Sequence, residues 1–273
     1  MKRMIFFNVC LFFALTSLFI AKEGDGKAGT DKKKIIYQAM WNSDNITGEI
    51  YINGFLITDF NGSQSAGTSP LNAFLIGKNE IRAQARKADE SKSAHLSFGV
   101  SELAQGDIAA TNEHGNLLSI EITNNDFTAT RNVKTSKKFN STLDFSRHLL
   151  GTGTANEKEV IEYAKKIYGL FKAKNAEAIQ KEFAVKINDY AEAFSSSTFA
   201  AEFKSYLTED LLKGKLLTID PRALQAKKSG PDNNLWHILE GDKELIRTVS
   251  ADGATSELGI YIGIVDGRLR VVR

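Results

Sequence analysis

Four histidines are the side chains of this sequence best suited to acid–base or metal chemistry at neutral pH. They are His95, His114, His148 and His237. No two of them stand at the i, i+2 or i, i+4 spacing that directs two imidazoles at one metal ion, so the sequence predicts no metal site. The sequence also contains neither a G-x-S-x-G nucleophile motif nor a P-loop.

His237 is the strongest candidate for a catalytic residue. It follows Trp236 in an apolar run that predicts a strand, and strand alternation directs the two side chains to opposite faces. A general base needs a hydrogen-bond partner that sets its tautomer, and the sequence nominates Asp189 or Glu240. Tyr261, on a later predicted strand, is the candidate for positioning a substrate. The alternative interpretation of His237 is an ordinary core or edge histidine.

Two tryptophans and two strand glycines mark further places where a ligand could be held. Trp41 and Trp236 are candidate ligand-binding residues because flat aromatic rings stack on sugars, although core packing explains Trp41 equally well. Gly259 and Gly263 flank Tyr261 on one face of its predicted strand. They leave room for a ligand, for close packing of a helix, or for a bend in the sheet.

The elements that position these residues divide the chain into two parts. From residue 35 to 150 the apolar residues recur with a period of two, and Asn53-Gly54 and Asn61-Gly62 mark tight turns. Many short strands without an amphipathic helix predict an all-β sandwich domain over 35–150. Besides the strands around Asn53-Gly54, the predicted strands are 81–86, 95–100, 117–122 and 127–133.

The second part begins after a predicted linker at 151–155. Asn156 and Glu159 predict a helix start, since the amide caps free backbone N–H groups and the glutamate reaches back. Helical spacing of apolar residues predicts helices from 156, over 179–194 and over 199–213. Strands follow at 216–225, 235–240, 245–250, 258–265 and 269–272. We therefore expect an α+β domain over 156–273, with three helices across one face of a curved antiparallel sheet.

Both predicted domains resemble known families in the order of their elements. Residues 155–273, which end in the hairpin sequence IYIGIVDGRLRV at 260–271, resemble the NTF2-like family. That resemblance implies a cone whose hollow holds a small ligand in some members and serves as an interaction surface in others. In the first domain, IYING at 50–54, LNAFL at 71–75 and GKNEI at 77–81 are similar to galactose-binding-like β-sandwiches attached to secreted glycosidases.

The first residues of the chain have the layout of an export signal. Lys2 and Arg3 precede an apolar run over 5–21, which predicts a signal peptide over 1–21, with the cut between 21 and 28. A polar spacer rich in Gly, Lys and Asp, predicted to be disordered, follows over 22–34. The apolar run is short for a spanning helix, so we expect contact with a membrane only through this segment, if it is uncleaved.

Removal of this segment has two chemical consequences. Cys10 is the only cysteine, so the mature chain carries no thiol for a disulfide, a nucleophile or a metal ligand. Lys2 and Arg3 account for the whole excess of basic over acidic residues, 35 against 33. A neutral mature chain lacks the charge that binding to a phosphate backbone exploits, and we expect no nucleic-acid partner.

No complete catalytic set can be assembled from these residues. The sequence therefore predicts a non-catalytic protein of the bacterial periplasm or cell exterior, without a cofactor and with a protein or glycan partner. The alternative is a small-molecule enzyme that uses the cavity of the second domain. It requires a pocket of roughly 300 Å³ or more with His237 and Tyr261 in its wall.

Overall fold

The computed structural model describes residues 35–104, 116–128, 131–150 and 155–273. The predicted signal peptide, the spacer, His114 and residues 151–154 of the predicted linker lie outside this range. The described residues form two units, which divide between Phe145 and Ser146. Strands dominate, all their pairings are antiparallel, and the α-helices belong to the second unit. Within the described ranges no helix is both long enough and apolar enough to cross a bilayer.

The N-terminal unit consists of two four-stranded sheets. Sheet I has the order β4-β1-β6-β7 and sheet II the order β3-β2-β5-β8. The strands are β1 (Ile35–Asp44), β2 (Ile46–Ile52), β3 (Phe55–Asn61), β4 (Ser65–Pro70), β5 (Ile76–Lys87), β6 (His95–Ala104), β7 (Asn116–Ile122) and β8 (Val133–Asp144). Alternate residues of the inner strands are buried, as the period of two predicts.

Tight turns in this unit lie where the sequence predicts them. Asn53 and Gly54 join β2 to β3 with φ angles of 47° and 80°, which suit a two-residue hairpin turn. The strand predicted over 127–133 is wrong, because Asn124–Phe127 form a 3₁₀ turn and β8 begins only at Val133. Asp126 favours that turn, since its carboxylate accepts hydrogen bonds from the backbone and side chain of Thr123.

Buried asparagines hold the loops of the N-terminal unit. Asn53 donates to the Phe74 carbonyl oxygen at 2.8 Å and to Asn79 Oδ1 at 2.9 Å, and its own Oδ1 accepts from the Glu80 backbone. Asn72 accepts from the Tyr37 N–H at 2.7 Å. These asparagines lie in the segments 50–54 and 71–75, where they satisfy backbone groups.

The C-terminal unit combines five α-helices with two sheets. The helices are α1 (Ser146–Leu149), α2 (Glu157–Lys172), α3 (Ala176–Glu182), α4 (Ala184–Ala193) and α5 (Phe199–Tyr206), the last followed by a π-helical turn at Leu207–Leu211. The strands are β9 (Lys215–Leu216), β10 (Leu224–Ser229), β11 (Leu235–Glu240), β12 (Lys243–Glu244), β13 (Ile246–Val249), β14 (Thr255–Leu258), β15 (Tyr261–Val265) and β16 (Arg268–Val271). Sheet III has the order β10-β11-β15-β16 with β12 paired to β11, and sheet IV is β14-β13-β9.

Local signals in this unit are confirmed, but the longer elements are more broken than predicted. Asn156 caps α2 by accepting from the Glu159 N–H at 2.9 Å. The predicted second helix divides at Phe183 into α3 and α4, and the third changes to a π-helical turn after Tyr206. The strand predicted over 216–225 is wrong, because a turn around Pro221 separates β9 from β10.

The last predicted strands are also shorter. The strand predicted over 258–265 is interrupted at residues 259 and 260, between β14 and β15. The hairpin that joins β15 to β16 is confirmed, with Asp266 and Gly267 at φ angles of 50° and 71°. Aromatic pairs fill the space between the helices: Phe183 stacks on Phe203 at 5.7 Å.

Candidate functional site

His237 and Tyr261 come together on sheet III. They face each other across β11 and β15, and their rings stack with centroids 4.2 Å apart and an interplanar angle of 16°. The next position on the same face pairs Leu235 with Gly263, where an added Cβ atom would lie 2.6 Å from the Leu235 side chain. Gly263 therefore serves close packing against the neighbouring strand, a role that the sequence did not predict.

The hydrogen-bond partner of His237 is Glu244. The short hairpin at Gly241 returns the chain along β11 as β12, which brings both Glu244 carboxylate oxygens to 2.9 and 3.0 Å from His237 Nε2. The prediction that Asp189 or Glu240 is its partner is wrong, because each of these carboxylates forms an ion pair with an arginine. Glu240 pairs with Arg247. A tight turn at Gly241 was the sequence signal for Glu244, since it predicts a return strand beside β11.

Lys186 is a further titratable residue of the C-terminal unit, and the sequence patterns did not single it out. It projects from α4, and its Nζ donates to the Gly259 carbonyl oxygen at 3.3 Å. The ammonium lies 5.9 Å from the Phe183 ring centre and 6.0 Å from that of Tyr190. Burial is the main cause that lowers the pKa of Lys186 to about 8; the charge of Arg273 adds to the shift and that of Glu244 opposes it.

The signal for Lys186 was present in the helical spacing. Phe183 and Tyr190 stand three residues before and four residues after it, so all three occupy one face of α4. A lysine between two core aromatics must bring its ammonium close to the interior. We call His237, Glu244 and Tyr261 the histidine cluster.

Asp189 forms a separate centre, which we call the aspartate cluster. It is fully buried, and its Oδ2 lies 2.7 Å from Arg273 Nη1 while its Oδ1 lies 2.8 Å from His148 Nδ1. Arg273 is 1% exposed. Two buried opposite charges at this distance hold α4 against the strand end that carries Arg273, and loss of either partner leaves the other uncompensated. Asp189 thus has a structural position, away from His237.

The two candidate tryptophans have part of their ring surface covered. Trp41 is 9% exposed, and an added Cβ atom at Gly67 on β4 would lie 2.5 Å from its six-membered ring. Trp236 is half-buried, with Lys228 Nζ 3.7 Å from the ring centre as a cation–π contact across the β10–β11 pair. Trp41 therefore packs as a core residue, and a cation occupies one face of Trp236.

A cavity of about 270 Å³ lies elsewhere in the C-terminal unit. Neither His237 nor Tyr261 lines it. Its wall includes Tyr168, Phe171, Lys172, Leu211, Leu216 and Thr248. Among the described residues, no three His, Cys, Asp or Glu side chains are grouped so that they could hold a metal ion.

The histidine cluster has the chemistry of an acid–base centre, and it lies outside the cavity of about 270 Å³. The imidazole of His237 is oriented by a carboxylate, as in a general base, and its side chain is only 14% exposed. The stack on Tyr261 covers one ring face. No family model, no curated protein and no solved structure matches this chain.

Proposed function

We propose that this chain is an exported, non-catalytic binding protein whose surfaces take a protein or glycan partner. The proposal includes removal of the predicted signal peptide and a location in the periplasm or outside the cell. Its support is the charge-then-apolar order of residues 1–21 and the absence of any thiol in the chain that follows.

The observation that carries the proposal is that both acid–base candidates, Asp189 and His237, are engaged by other side chains of the protein. Asp189 is enclosed by Arg273 and His148, and His237 is held between Glu244 and Tyr261. These contacts account for the positions of Asp189 and His237 within the C-terminal unit, and the cavity of about 270 Å³ is lined by neither side chain. A binding role then belongs to exposed surfaces instead of to these clusters.

The finer fold assignments are part of the same proposal. The N-terminal unit would be a β-sandwich of sheets I and II, supported by Tyr37 on β1, whose hydroxyl lies 3.1 Å from Thr142 Oγ1 on β8. The C-terminal unit would be NTF2-like, with helices across sheet III. Lys186 and Asp189 support this, because both tie α4 to the segment from residue 259 to Arg273.

A glycan array and an affinity capture from the native envelope test the proposal. We expect a partner that is retained by His237→Gln, because the histidine cluster takes no part in binding. The matched control is Glu121→Gln, which removes the carboxylate that contacts another, exposed histidine, His95, at 3.1 Å. A blank array together with an empty capture would contradict the proposal, and so would loss of the partner in His237→Gln alone.

A second candidate function is a small-molecule enzyme that uses the histidine cluster. The observation in its favour is the 2.9 Å contact between His237 and Glu244. The Glu244 charge also acts on Lys186, whose pKa is lowered to about 8, mainly by burial, so that a neutral amine is accessible near pH 8. Fragment screening followed through the His237 imidazole resonances tests it. Binding that shifts these resonances and is lost in Lys186→Met would favour the enzyme, whereas unperturbed resonances would remove it.

A further inference from the structure

The solvent-facing side of sheet II concentrates positive charge in a chain that is nearly neutral overall. On β5 the exposed residues Lys78, Arg82 and Arg86 alternate with buried ones such as Ile81 and Ala83. On β8 the exposed cations of the same face are Lys134 and Lys138. We call Lys78, Arg82, Arg86, Lys134 and Lys138 the cation strip.

The pairing of β5 with β8 arranges these cations in a zigzag line. Lys134 on β8 lies opposite Gln84 on β5, so Arg82 and Arg86 are the diagonal neighbours of Lys134. Lys138 on β8 lies opposite Glu80 on β5, so Lys78 and Arg82 are the diagonal neighbours of Lys138. Diagonal neighbours in an antiparallel pair are about 7–8 Å apart. From residue 78 to residue 86 the line extends about 27 Å at 3.4 Å per residue.

One carboxylate, that of Glu80, lies within the strip, and it forms an ion pair with Arg82. The Arg82 guanidinium contacts Glu80 at 2.7 Å and holds the pKa of that carboxyl below its usual range; Ser136 and Lys138 add to the effect. Glu80 therefore offsets one of the five positive charges, and four remain in excess along β5 and β8. On β2, Glu49 lies opposite Gln84 and so on the diagonals of Arg82 and Arg86; together with Asp59, opposite it on β3, it borders the strip on one side with negative charge.

We propose that the cation strip binds a linear acidic polysaccharide along the β5–β8 direction. This inference rests on the proposed binding function and specifies the partner as a polyanion. Charge complementarity supports it, and the carboxylates of β2 and β3 confine an anionic chain to the strip. Gln84, Ser136 and Asn140 lie on the same face and supply the donors and acceptors that sugar hydroxyls need.

The same face argues against a single-stranded nucleic acid. Such ligands gain much of their affinity from stacking on aromatic side chains. The outward positions of β5 and β8 from 78 to 86 and from 134 to 140 carry no aromatic residue. The aromatic side chain beside them, Tyr51 on β2, donates its hydroxyl to Glu49 at 2.7 Å and so stands next to a negative charge.

Dextran sulfate and unmodified dextran test the inference, because the two polymers share one backbone and differ in charge. We expect the purified protein to bind dextran sulfate and not dextran. With five contacts, the logarithm of the binding constant should fall with the logarithm of salt concentration with a slope of about −4. The double variant Lys134→Gln/Lys138→Gln should lose about tenfold in affinity and reduce that slope by about 1.5.

The matched control is Lys158→Gln/Lys204→Gln, which makes the same change in net charge at two exposed helical lysines of the C-terminal unit. It should retain full affinity, and circular dichroism checks that both variants are folded. Equal losses in both variants would overturn the inference, since binding would then be unspecific. Tighter binding of an oligothymidylate than of dextran sulfate would overturn it in favour of nucleic acid.

Another role of strand lysines is to keep sheet edges from pairing, and β8 is the edge of sheet II. If the β8 variant self-associates while it keeps its affinity for dextran sulfate, the lysines protect the edge and the inference fails. If the protein does not bind dextran sulfate but binds a neutral glycan in the array or a protein in the affinity capture, this inference fails and the proposed function stands.

Discussion

The N-terminal unit places its lysines and arginines on exposed strand faces, whereas the C-terminal unit brings several of its own inside. Arg82 is solvent-facing beside Glu80, while Arg273 and Arg247 are 1% and 6% exposed and each contacts a carboxylate. Exposed ion pairs contribute little to folding, so their cations remain available to a ligand. Buried pairs are costly to break, which makes them part of the structure.

Their interiors differ in the same way. The N-terminal unit satisfies its buried loops with neutral amides, above all Asn53, Asn72 and Asn79. The C-terminal unit uses charged groups such as Asp189. An amide network does not titrate, whereas an ionic one responds to pH and to the loss of one partner. The stability of the C-terminal unit should therefore depend on pH and on each charged partner more strongly than that of the N-terminal unit.

The largest effect is expected for Asp189→Asn. This change keeps the size of the side chain but leaves the Arg273 charge uncompensated in the interior, and we expect a loss of about 3–5 kcal/mol in the free energy of unfolding. Urea unfolding followed by circular dichroism measures it. Glu192→Gln is the control on the same helix, because Glu192 pairs with Arg147 at 2.6 Å in an exposed position. A loss below about 1 kcal/mol for Asp189→Asn would contradict the assignment.

Asn53→Ala should have a somewhat smaller effect. It removes three side-chain hydrogen bonds and places alanine at a φ angle of 47°, which together cost about 3 kcal/mol. The loss should be the same at pH 5 and pH 8, since no charge is involved. Unfolding of the N-terminal unit at both pH values measures it, and a loss that changes between them would break the distinction between the units.

Lys186→Met should change the pH dependence of stability. The pKa of Lys186 is about 8 in the folded chain and near 10.5 when unfolded, so between these values the unfolded state binds more protons. Between pH 8 and 10.5 the free energy of unfolding of the wild type should rise by about 2 kcal/mol relative to that of the variant. This is less than the whole pKa shift would give, because Lys186 is only half-buried and solvent screens its charge. Parallel pH profiles would show that burial imposes no cost on this ammonium.

The smallest effect is expected for Arg82→Gln on the cation strip. The guanidinium is solvent-facing, and its pair with Glu80 lies on one strand, so the free energy of unfolding should change by less than about 0.5 kcal/mol. Thermal unfolding checks this. A loss of about 2 kcal/mol or more would mean that the strip supports the fold, and the contrast between exposed and buried charges would disappear.

The parts of the structure that the sequence predicts are those decided by a few neighbouring residues. Asn53-Gly54, the Asn156 cap and the Asp266-Gly267 hairpin each depend on backbone preferences within one turn. The partner of Asp189 lies 84 residues away, and the cation strip depends on how β5 pairs with β8. Such contacts follow from register and packing, which periodicity alone does not specify.

The site was predicted in part for the same reason. His237 and Tyr261 share a face because strand alternation is local and regular. Glu244 was missed because the predicted strand began at residue 245, one residue after the carboxylate that matters. Lys186 does not follow from the apolar spacing of its helix alone, because that spacing predicts which face is buried and not where a lysine on that face places its ammonium.

The two tryptophans of the chain are distributed one to each unit, which gives the protein a built-in pair of optical probes. Trp41 is enclosed beside Gly67 and should emit at the blue end of the indole range, whereas Trp236 lies under the Lys228 ammonium and should be quenched by it. Trp41→Phe and Trp236→Phe would each leave a single reporter. Fluorescence could then follow the melting of either unit without any added label.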